Sequence, residues 1–220
     1  MSGRSPRVAT GKRLPGRPRD ESRGERILDV TLKLLAKRGY SALTVAEVAA
    51  RARTSLATIY RRWATKEALA IAAFDRLPEL ETPDRGDVLE ELLDLVEQWA
   101  NMMANTELAS VLPSLIGEAS LNPVLGKALR KVIERRRQPN LMILQRAIER
   151  GELPKDIDLE LAYEVIYAPL LQRTLTRQPL DREAFRKIYT VILAGFCRRP
   201  ARTRRERAPA VTRGLVRKHD

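Results

Sequence analysis

The sequence predicts an all-α protein, in which a small N-terminal three-helix unit precedes a larger C-terminal helical domain, with about nine helices in all. Three observations support this prediction. Apolar residues recur every three or four positions in successive segments, and no stretch alternates apolar and polar residues as a half-buried strand does. Helix N-caps and helix-ending Gly or Pro residues separate the segments. Hydrophobic residues make up 44% of the 220 residues and charged residues 31%, which is ordinary for a globular protein.

The first helix is predicted from about Ser22 to Arg38. Ser22 and Glu25 have the spacing of a capping box, and Gly39 ends the segment. Its buried stripe is expected to consist of Ile27, Thr31, Leu34 and Leu35. We interpret this helix as a brace for the two short helices that follow it.

Residues 44–63 predict two short helices around a tight turn. Thr44 and Glu47 form a second capping-box pattern, and Ser55 is a candidate N-cap for a helix that is expected to run to about Trp63. The large apolar residues of this second helix lie on one face, and small, hydroxyl, phenol and guanidinium side chains occupy the others. A short helix with such a surface fits the major groove of DNA.

The rest of the chain predicts further helices. Thr65 is expected to cap a fourth helix from Lys66 to about Leu77, and a break containing Pro and Gly follows over residues 78–86. Pro139 is expected to kink or split the long segment in which it lies. The later predicted helices cover residues 87–104, 107–117, 122–150, 158–176 and 181–196.

The net charge of +13 is unevenly distributed along the chain. It is +5 over residues 1–26, +6 over 27–66, −5 over 67–197 and +7 over 198–220. This distribution is typical of a nucleic-acid binder that carries a separate non-binding domain. We interpret the last segment as a disordered basic tail, and the basic run 134–137 as a solvated helix face.

Catalysis and metal chemistry are not expected. The chain has one His, His219, and one Cys, Cys197, so it can build neither a Cys/His zinc cluster nor an intrachain disulfide. No Gly-rich phosphate loop follows a strand. We therefore expect no enzymatic activity, no metal and no cofactor. No run approaches the roughly 18 apolar residues of a membrane span, and no signal peptide is visible, so a cytoplasmic location is expected.

An ordered set of residues between positions 39 and 69 matches a known pattern. The residues are Gly39-Tyr40, Thr44-Val45, Val48-Ala49, Ala52, Ser55, Thr58-Ile59-Tyr60, Trp63, Lys66-Glu67 and Leu69. Together they resemble the DNA-binding domain of the TetR (tetracycline-repressor) family of transcription regulators. Two positions depart from the family pattern, because Arg53 stands where Gly is usual and Thr54 where Val is usual. A left-handed turn residue is easiest for Gly, so an altered or mildly strained turn is expected.

The resemblance implies a helix-turn-helix DNA-binding domain over residues 20–66 and an effector-binding and dimerisation domain over 67–197. The residue composition of the two ends predicts a disordered basic arm over residues 1–19 and the disordered basic tail over residues 198–220. The implied function is that of a ligand-responsive repressor that binds a palindromic operator as a homodimer. A different reading stays open, in which a polybasic helical protein docks on anionic membranes or acidic partners. Membrane docking requires a long basic amphipathic helix, and Pro and Gly interrupt both basic ends of this chain.

The second helix of the helix-turn-helix is expected to read bases. Arg61 is expected to contact guanine, Leu56 or Ala57 a thymine methyl group, and Thr58 a base edge. Phosphates are expected to be held by Thr44, Ser55, Tyr60 and Lys66.

The basic arm is a candidate for minor-groove contact. Arg17 and Arg19 stand next to Gly16 and Pro18, and an extended Arg-containing segment fits a narrow minor groove. A flexible leader with no DNA contact is the alternative.

The C-terminal domain is expected to hold an apolar effector and to form the dimer through its last two helices. Plain core is the alternative for each effector candidate, and closure of only their own subunit's core is the alternative for the dimer faces. The effector candidates are Trp99, Met102, Met103, Leu112, Leu115, Ile116, Leu144, Tyr163 and Tyr167. The dimer candidates are Leu161, Val165, Leu171, Phe185, Ile188 and Ile192.

Overall fold

The computed structural model describes residues 18–197, and these residues form ten α-helices and no strand. The predicted all-α class is therefore confirmed. The helices are α1 (Pro18–Arg38), α2 (Val45–Ala52), α3 (Leu56–Tyr60), α4 (Lys66–Phe74), α5 (Val88–Asn105), α6 (Leu108–Ala119), α7 (Pro123–Arg136), α8 (Gln138–Glu149), α9 (Leu159–Leu175) and α10 (Arg182–Cys197). None of these helices is both long enough and apolar enough to span a bilayer.

The tenth helix arises because the predicted segment 122–150 is split. α7 ends at Arg136, and Pro139 lies in the first turn of α8. Pro is tolerated there because its missing N–H would have no partner in the first turn of a helix.

The start of α1 differs from the prediction. The helix begins at Pro18, four residues before the expected cap at Ser22, and Pro is favoured at the first position of a helix. Arg19 consequently lies in the first turn of α1, where the backbone is helical, which contradicts the prediction of an extended arm at that residue. Arg17 and the basic tail lie outside the described residues.

Hydroxyl N-caps start the three short helices α2, α3 and α4. The side chains of Thr44, Ser55 and Thr65 each accept a hydrogen bond from the backbone N–H three residues later, at 3.2, 3.2 and 3.1 Å. The capping box at Thr44 is only half formed, because the Glu47 carboxylate pairs with Arg38 on α1 at 2.9 Å. This ion pair fixes α2 against α1.

The turn between α2 and α3 is left-handed at Arg53, with φ 53° and ψ 51°. Its N–H donates to the Ala50 carbonyl at 3.3 Å, and the Thr54 N–H donates to the Ala49 carbonyl at 3.0 Å. These bonds end α2 in the manner of a glycine cap, although the residue is Arg.

Buried apolar side chains form two clusters. One joins α1–α4 to α6 and α7, and the other joins α5 to α8, α9 and α10. The predicted domain boundary at 66/67 falls at the start of α4, whose Leu69 and Phe74 are buried in the first cluster. The unit that carries α3 therefore packs directly on part of the larger domain.

Candidate DNA-binding surface and ligand cavity

α3 is anchored by its apolar stripe and presents the opposite face to solvent. Ile59 is fully buried, and the half-buried Trp63 packs against the same cluster. On the other side Leu56 is 44% exposed and Tyr60 is 49% exposed, both high values for large apolar side chains. Ala57 and Arg61 are exposed beside them. The exposed face therefore carries apolar, phenol and guanidinium groups together.

Ser55 and Thr58, both predicted to contact DNA, are hydrogen-bonded to each other through their side chains. Their side-chain oxygens are 2.9 Å apart, and the Thr58 hydroxyl lies in a half-buried residue. Thr44 is exposed at the start of α2. Both N-cap oxygens already accept one backbone hydrogen bond. The Thr44 hydroxyl retains its donor, and the Ser55–Thr58 pair retains one hydroxyl donor for a further partner.

Lys66 lies at the start of α4 with its ammonium group held in place. Nζ donates to the Ser41 carbonyl at 3.3 Å and lies 4.3 Å from the centroid of the Tyr40 ring, within cation–π range. An ammonium group has three N–H donors. Donors beyond the one used on Ser41 are therefore left for another acceptor.

A polar junction connects α4 to the end of α6. The Tyr40 hydroxyl and the Asn122 side-chain amide both donate to Oε1 of Glu67, at 2.9 and 3.1 Å. The Tyr40 N–H donates to Oγ of Ser114 on α6 at 2.8 Å. A hydrogen bond from its own backbone N–H, followed by those from Tyr40 and Asn122, lowers the pKa of the Glu67 carboxyl, so it is ionised at neutral pH.

The turn after α1 lies close to α6. Gly39 has φ +75°, and a Cβ there would lie 3.0 Å from Oγ of Ser114. Ser41 donates to Glu118 on α6 at 2.7 Å. The sequence does not indicate the contacts of Ser114, Glu118 and Asn122, because their partners are distant in the chain; Tyr40 and Glu67 carry a signal only as parts of the matched pattern.

A cavity of about 50 Å³ lies between the two clusters. Five of the nine predicted effector contacts line it, namely Trp99, Met102, Leu112, Tyr163 and Tyr167. The other lining residues are Phe74, Leu80, Leu95, Val96, Leu108, Ile133, Arg136, Asn140, Leu170 and Tyr189.

Four predicted effector contacts do not line the cavity. Leu115 and Leu144 are fully buried in the two apolar clusters, and Ile116 packs against the first cluster. Met103 lies on a different face of α5, beside a surface cleft. Apolar periodicity predicts that all of these residues are buried. Only the packing of helices that are distant in the sequence determines which of them line the cavity.

Aromatic rings form one wall of the cavity. The rings of Tyr163 and Tyr167 stack with centroids 5.5 Å apart, and Trp99 meets Tyr167 edge-on at 6.5 Å. The Trp99 indole N–H donates to Thr174 at 2.9 Å. Burial raises the pKa of Tyr163 to about 12 and that of Tyr167 further, so both phenols are neutral at physiological pH.

The basic run 134–137 is not the solvated face that the sequence analysis predicted. The Arg136 side chain is only 16% exposed, and its guanidinium donates to carbonyls after α4. Arg137 pairs with Glu160 and lies 5.9 Å from the Tyr163 ring centroid. The prediction was wrong because a run of charges gives no indication that a neighbouring segment will cover two of them.

The predicted dimer residues fall into three groups. Leu161 and Val165 on α9 are exposed. Leu171, Ile188 and Ile192 are half-buried. Phe185 is fully buried in its own chain, where it packs 5.4 Å from the Tyr189 ring, and has no surface for a partner. Val191, which is 73% exposed on α10, is not among the predicted dimer residues.

Comparisons with known proteins agree with this architecture. Residues 27–73 match the model of bacterial regulatory proteins of the tetR family, and residues 82–192 match the tetracyclin repressor-like C-terminal domain. The HTH-type transcriptional regulator YdeS of Bacillus subtilis is 34% identical over 166 residues, 73% of this chain and 82% of that protein. The DNA-binding transcriptional repressor TetR of Mycobacteroides abscessus is 30% identical over 191 residues, 84% of this chain and 98% of that protein.

A solved structure shows the same fold. The TetR family transcription regulator SCO0332 superposes with a TM-score of 0.63 at 28% identity, covering 80% of this chain and all of the other. The two family models together cover most of the helices described above. The chain therefore belongs to the TetR family of DNA-binding transcriptional regulators.

Proposed function

We propose that this regulator is a repressor that binds a roughly palindromic operator as a homodimer and is released by a small effector bound in the cavity. Membership of the family makes the chain a DNA-binding regulator and not an enzyme. The proposal concerns which residues touch DNA, which surface forms the dimer and where the effector binds. The alternative of a membrane-docking protein is not favoured, since the matches cover both the DNA-binding and the C-terminal region. Acting on the genome, the protein is expected in the cytoplasm.

The exposed face of α3 is the observation that carries the proposal. Leu56, Ala57, Tyr60 and Arg61 point away from the cluster that holds Ile59. We assign Arg61 to guanine and Leu56 or Ala57 to a thymine methyl group, with Thr58 at a base edge. Thr44, Ser55, Tyr60 and Lys66 are assigned to phosphates, which fix register without reading sequence. In a dimer the two α3 helices would lie about 34–36 Å apart, or a multiple of this.

Effector binding is proposed to act through the polar junction. α6 contributes Leu108 and Leu112 to the cavity and Ser114 to the contact with Tyr40. A ligand that displaces α6 would therefore change the contact between the two apolar clusters and the position of α3. Because the cavity is only about 50 Å³, smaller than most ligand pockets of about 300–1,000 Å³, a bound effector must enlarge it, and α6 forms one of the walls that can move.

The direct test is selection of genomic fragments by the purified protein, followed by footprinting on the preferred site. We expect a palindrome. Arg61→Ala should weaken binding to that site by about 1–3 kcal/mol and change binding to random DNA little. Arg51→Ala removes an exposed Arg on α2 and is the matched control. Equal loss on both DNAs would make Arg61 a phosphate contact, and the lack of any preferred site would contradict the proposal.

A further inference from the structure

Arg136 is a mostly buried cation without a close counter-ion. Among the described residues, Asp75 holds the only carboxylate within 4.0 Å, with Oδ1 3.9 Å from Nε of Arg136. That carboxylate is already bound by Arg135. Glu79, which is mostly exposed, also pairs with Arg135, at 3.8 Å. Burial lowers the pKa of the Arg136 guanidinium, which means that its charged form would be stabilised by an added anion.

The guanidinium still has donors to offer. Nη1 donates to the Pro78 carbonyl at 2.8 Å, and Nη2 donates to the carbonyls of Asp75 and Leu77 at 2.9 and 2.6 Å. The Nε–H is buried and has no hydrogen-bond partner in the described part of the chain. A buried unpaired donor is costly, so this group favours an acceptor.

Arg136 also lies at the mouth of the cavity. It lines the inner cavity and an outer cleft of about 320 Å³, and the two share Leu80, Trp99 and Met102 as walls. Asn140, four residues further along the chain, lines the inner cavity, and no hydrogen bond among residues 18–197 involves its side-chain amide. Arg136 and Asn140 could therefore bind an anionic head group at the edge of a cavity whose other walls are mainly apolar and aromatic.

We propose that the effector is an amphipathic carboxylic acid, whose apolar body fills the cavity and whose carboxylate pairs with Arg136 and accepts from Asn140. A carboxylate fits because guanidinium presents parallel N–H donors to its two oxygens. This proposal rests on the proposed function, and it replaces the apolar effector that the sequence predicts. It names the chemical class and not the individual compound.

The same residue connects the cavity to the DNA-binding unit. The carbonyls that Arg136 holds belong to the segment directly after α4, and the start of α4 carries Lys66 and Glu67. A carboxylate that reorients the guanidinium competes with these carbonyls. Acid binding is therefore expected to loosen the end of α4 and to weaken operator binding.

The test compares matched ligands that differ only in the head group. Decanoate and decanol share one aliphatic body, and 2-naphthoate and 2-naphthol share one aromatic body. Binding is followed by the fluorescence of Trp99, with a Trp99→Phe variant to identify the signal, and operator release is measured in the same samples. We expect at least one acid to bind at least tenfold more tightly than its alcohol and to release DNA.

Variants identify the group responsible. Arg136→Gln should reduce the affinity for the acid at least tenfold and leave that for the alcohol within about twofold, whereas Arg136→Lys should keep part of the preference for the acid. Arg130→Gln removes an exposed charge from the same helix and should change neither affinity. Thermal melting confirms that each variant is folded.

Two outcomes would overturn the proposal. If the alcohols bind more tightly than the acids, an effector could still occupy the cavity, but it would not be a carboxylic acid. An acid preference that persists in Arg136→Gln would place the carboxylate elsewhere. Failure of the unliganded protein to bind a specific site would instead contradict the proposed function, so the two failures are distinguishable.

Discussion

At the scale of single residues, Arg53 shows a conflict between local structure and sequence. Its backbone is left-handed, a conformation that costs a residue with a Cβ about 1–2 kcal/mol relative to the right-handed one. The turn nevertheless keeps both hydrogen bonds that end α2. Packing of α2 and α3 into the first apolar cluster therefore outweighs the preference of the residue.

Replacing this residue should stabilise the protein. Arg53→Gly removes the left-handed penalty but adds about 0.4–1 kcal/mol of unfolded-state entropy, so we expect a net gain of about 0.5–1 kcal/mol in the free energy of unfolding. Urea denaturation measures this. Arg51→Gly, at a right-handed position in α2, also removes a positive charge, together with an exposed ion pair to Glu47 at 2.9 Å, and should instead destabilise by about 1 kcal/mol. A loss of stability in Arg53→Gly would show that the Arg side chain contributes contacts that exceed the strain.

At the scale of elements, α10 is attached to α5 by ion pairs. Glu90 pairs with Arg186 at 2.6 Å and with Arg182 at 2.5 Å, and Arg182 also reaches Asp94 at 3.1 Å. The hydrogen bonds from Arg186 and then Arg182 lower the pKa of Glu90 from the usual 4.5 to about 2. These contacts orient a helix that is proposed to carry part of the dimer surface.

The Glu90 pairs should make the stability of α10 pH-dependent in acid. A carboxyl whose pKa is lower in the folded state contributes stability above its unfolded pKa and loses it as pH falls through the folded pKa. The deficit in Tm of Glu90→Gln relative to wild type should therefore be constant from pH 7 to about 4.5 and shrink towards about pH 2. Glu183→Gln, which removes a solvent-exposed pair with Lys187, should have little effect at any pH. A deficit that is already gone at pH 5 would contradict the lowered pKa.

At the scale of the whole molecule, the exposed apolar residues of α9 and α10 are candidates for a subunit interface. Leu161, Val165 and Val191 are each more than a third exposed, although they lie on helices that bury their other faces. Large apolar side chains that stay exposed on otherwise buried helices are candidates for an interface. The family binds DNA as dimers, and these two helices are our proposed dimer surface.

Charges on that surface should separate the subunits. A double variant, Leu161→Glu and Val191→Glu, is expected to sediment as a monomer and to lose specific operator binding, because a lone subunit spans only one half-site. Leu121→Glu changes another exposed apolar residue, remote from these helices in the sequence, and is the control. Dimers that persist in the double variant would move the interface to another surface. Sedimentation velocity and thermal melting distinguish separation from unfolding.

The local signals in the sequence accounted for much of the fold and part of the site. The hydroxyl caps at Thr44, Ser55 and Thr65 start the expected helices, because a cap acts within three residues. Ile59 is buried and Leu56 is exposed, as helical periodicity requires. The unusual turn residue, Arg53, was also visible. These features depend on neighbours along the chain, so the sequence by itself determined them.

Only the tertiary structure decided which distant groups meet. The charge pattern predicts a solvated Arg136, yet this residue is covered by the segment after α4 and borders the cavity. Glu67, Tyr40 and Asn122 share one junction from three separate segments. Leu144 and Phe185, equally apolar in pattern, fill the core instead of the cavity or an interface. The physical reason is that burial and long-range pairing depend on how helices pack, and periodicity defines a buried face without defining what covers it.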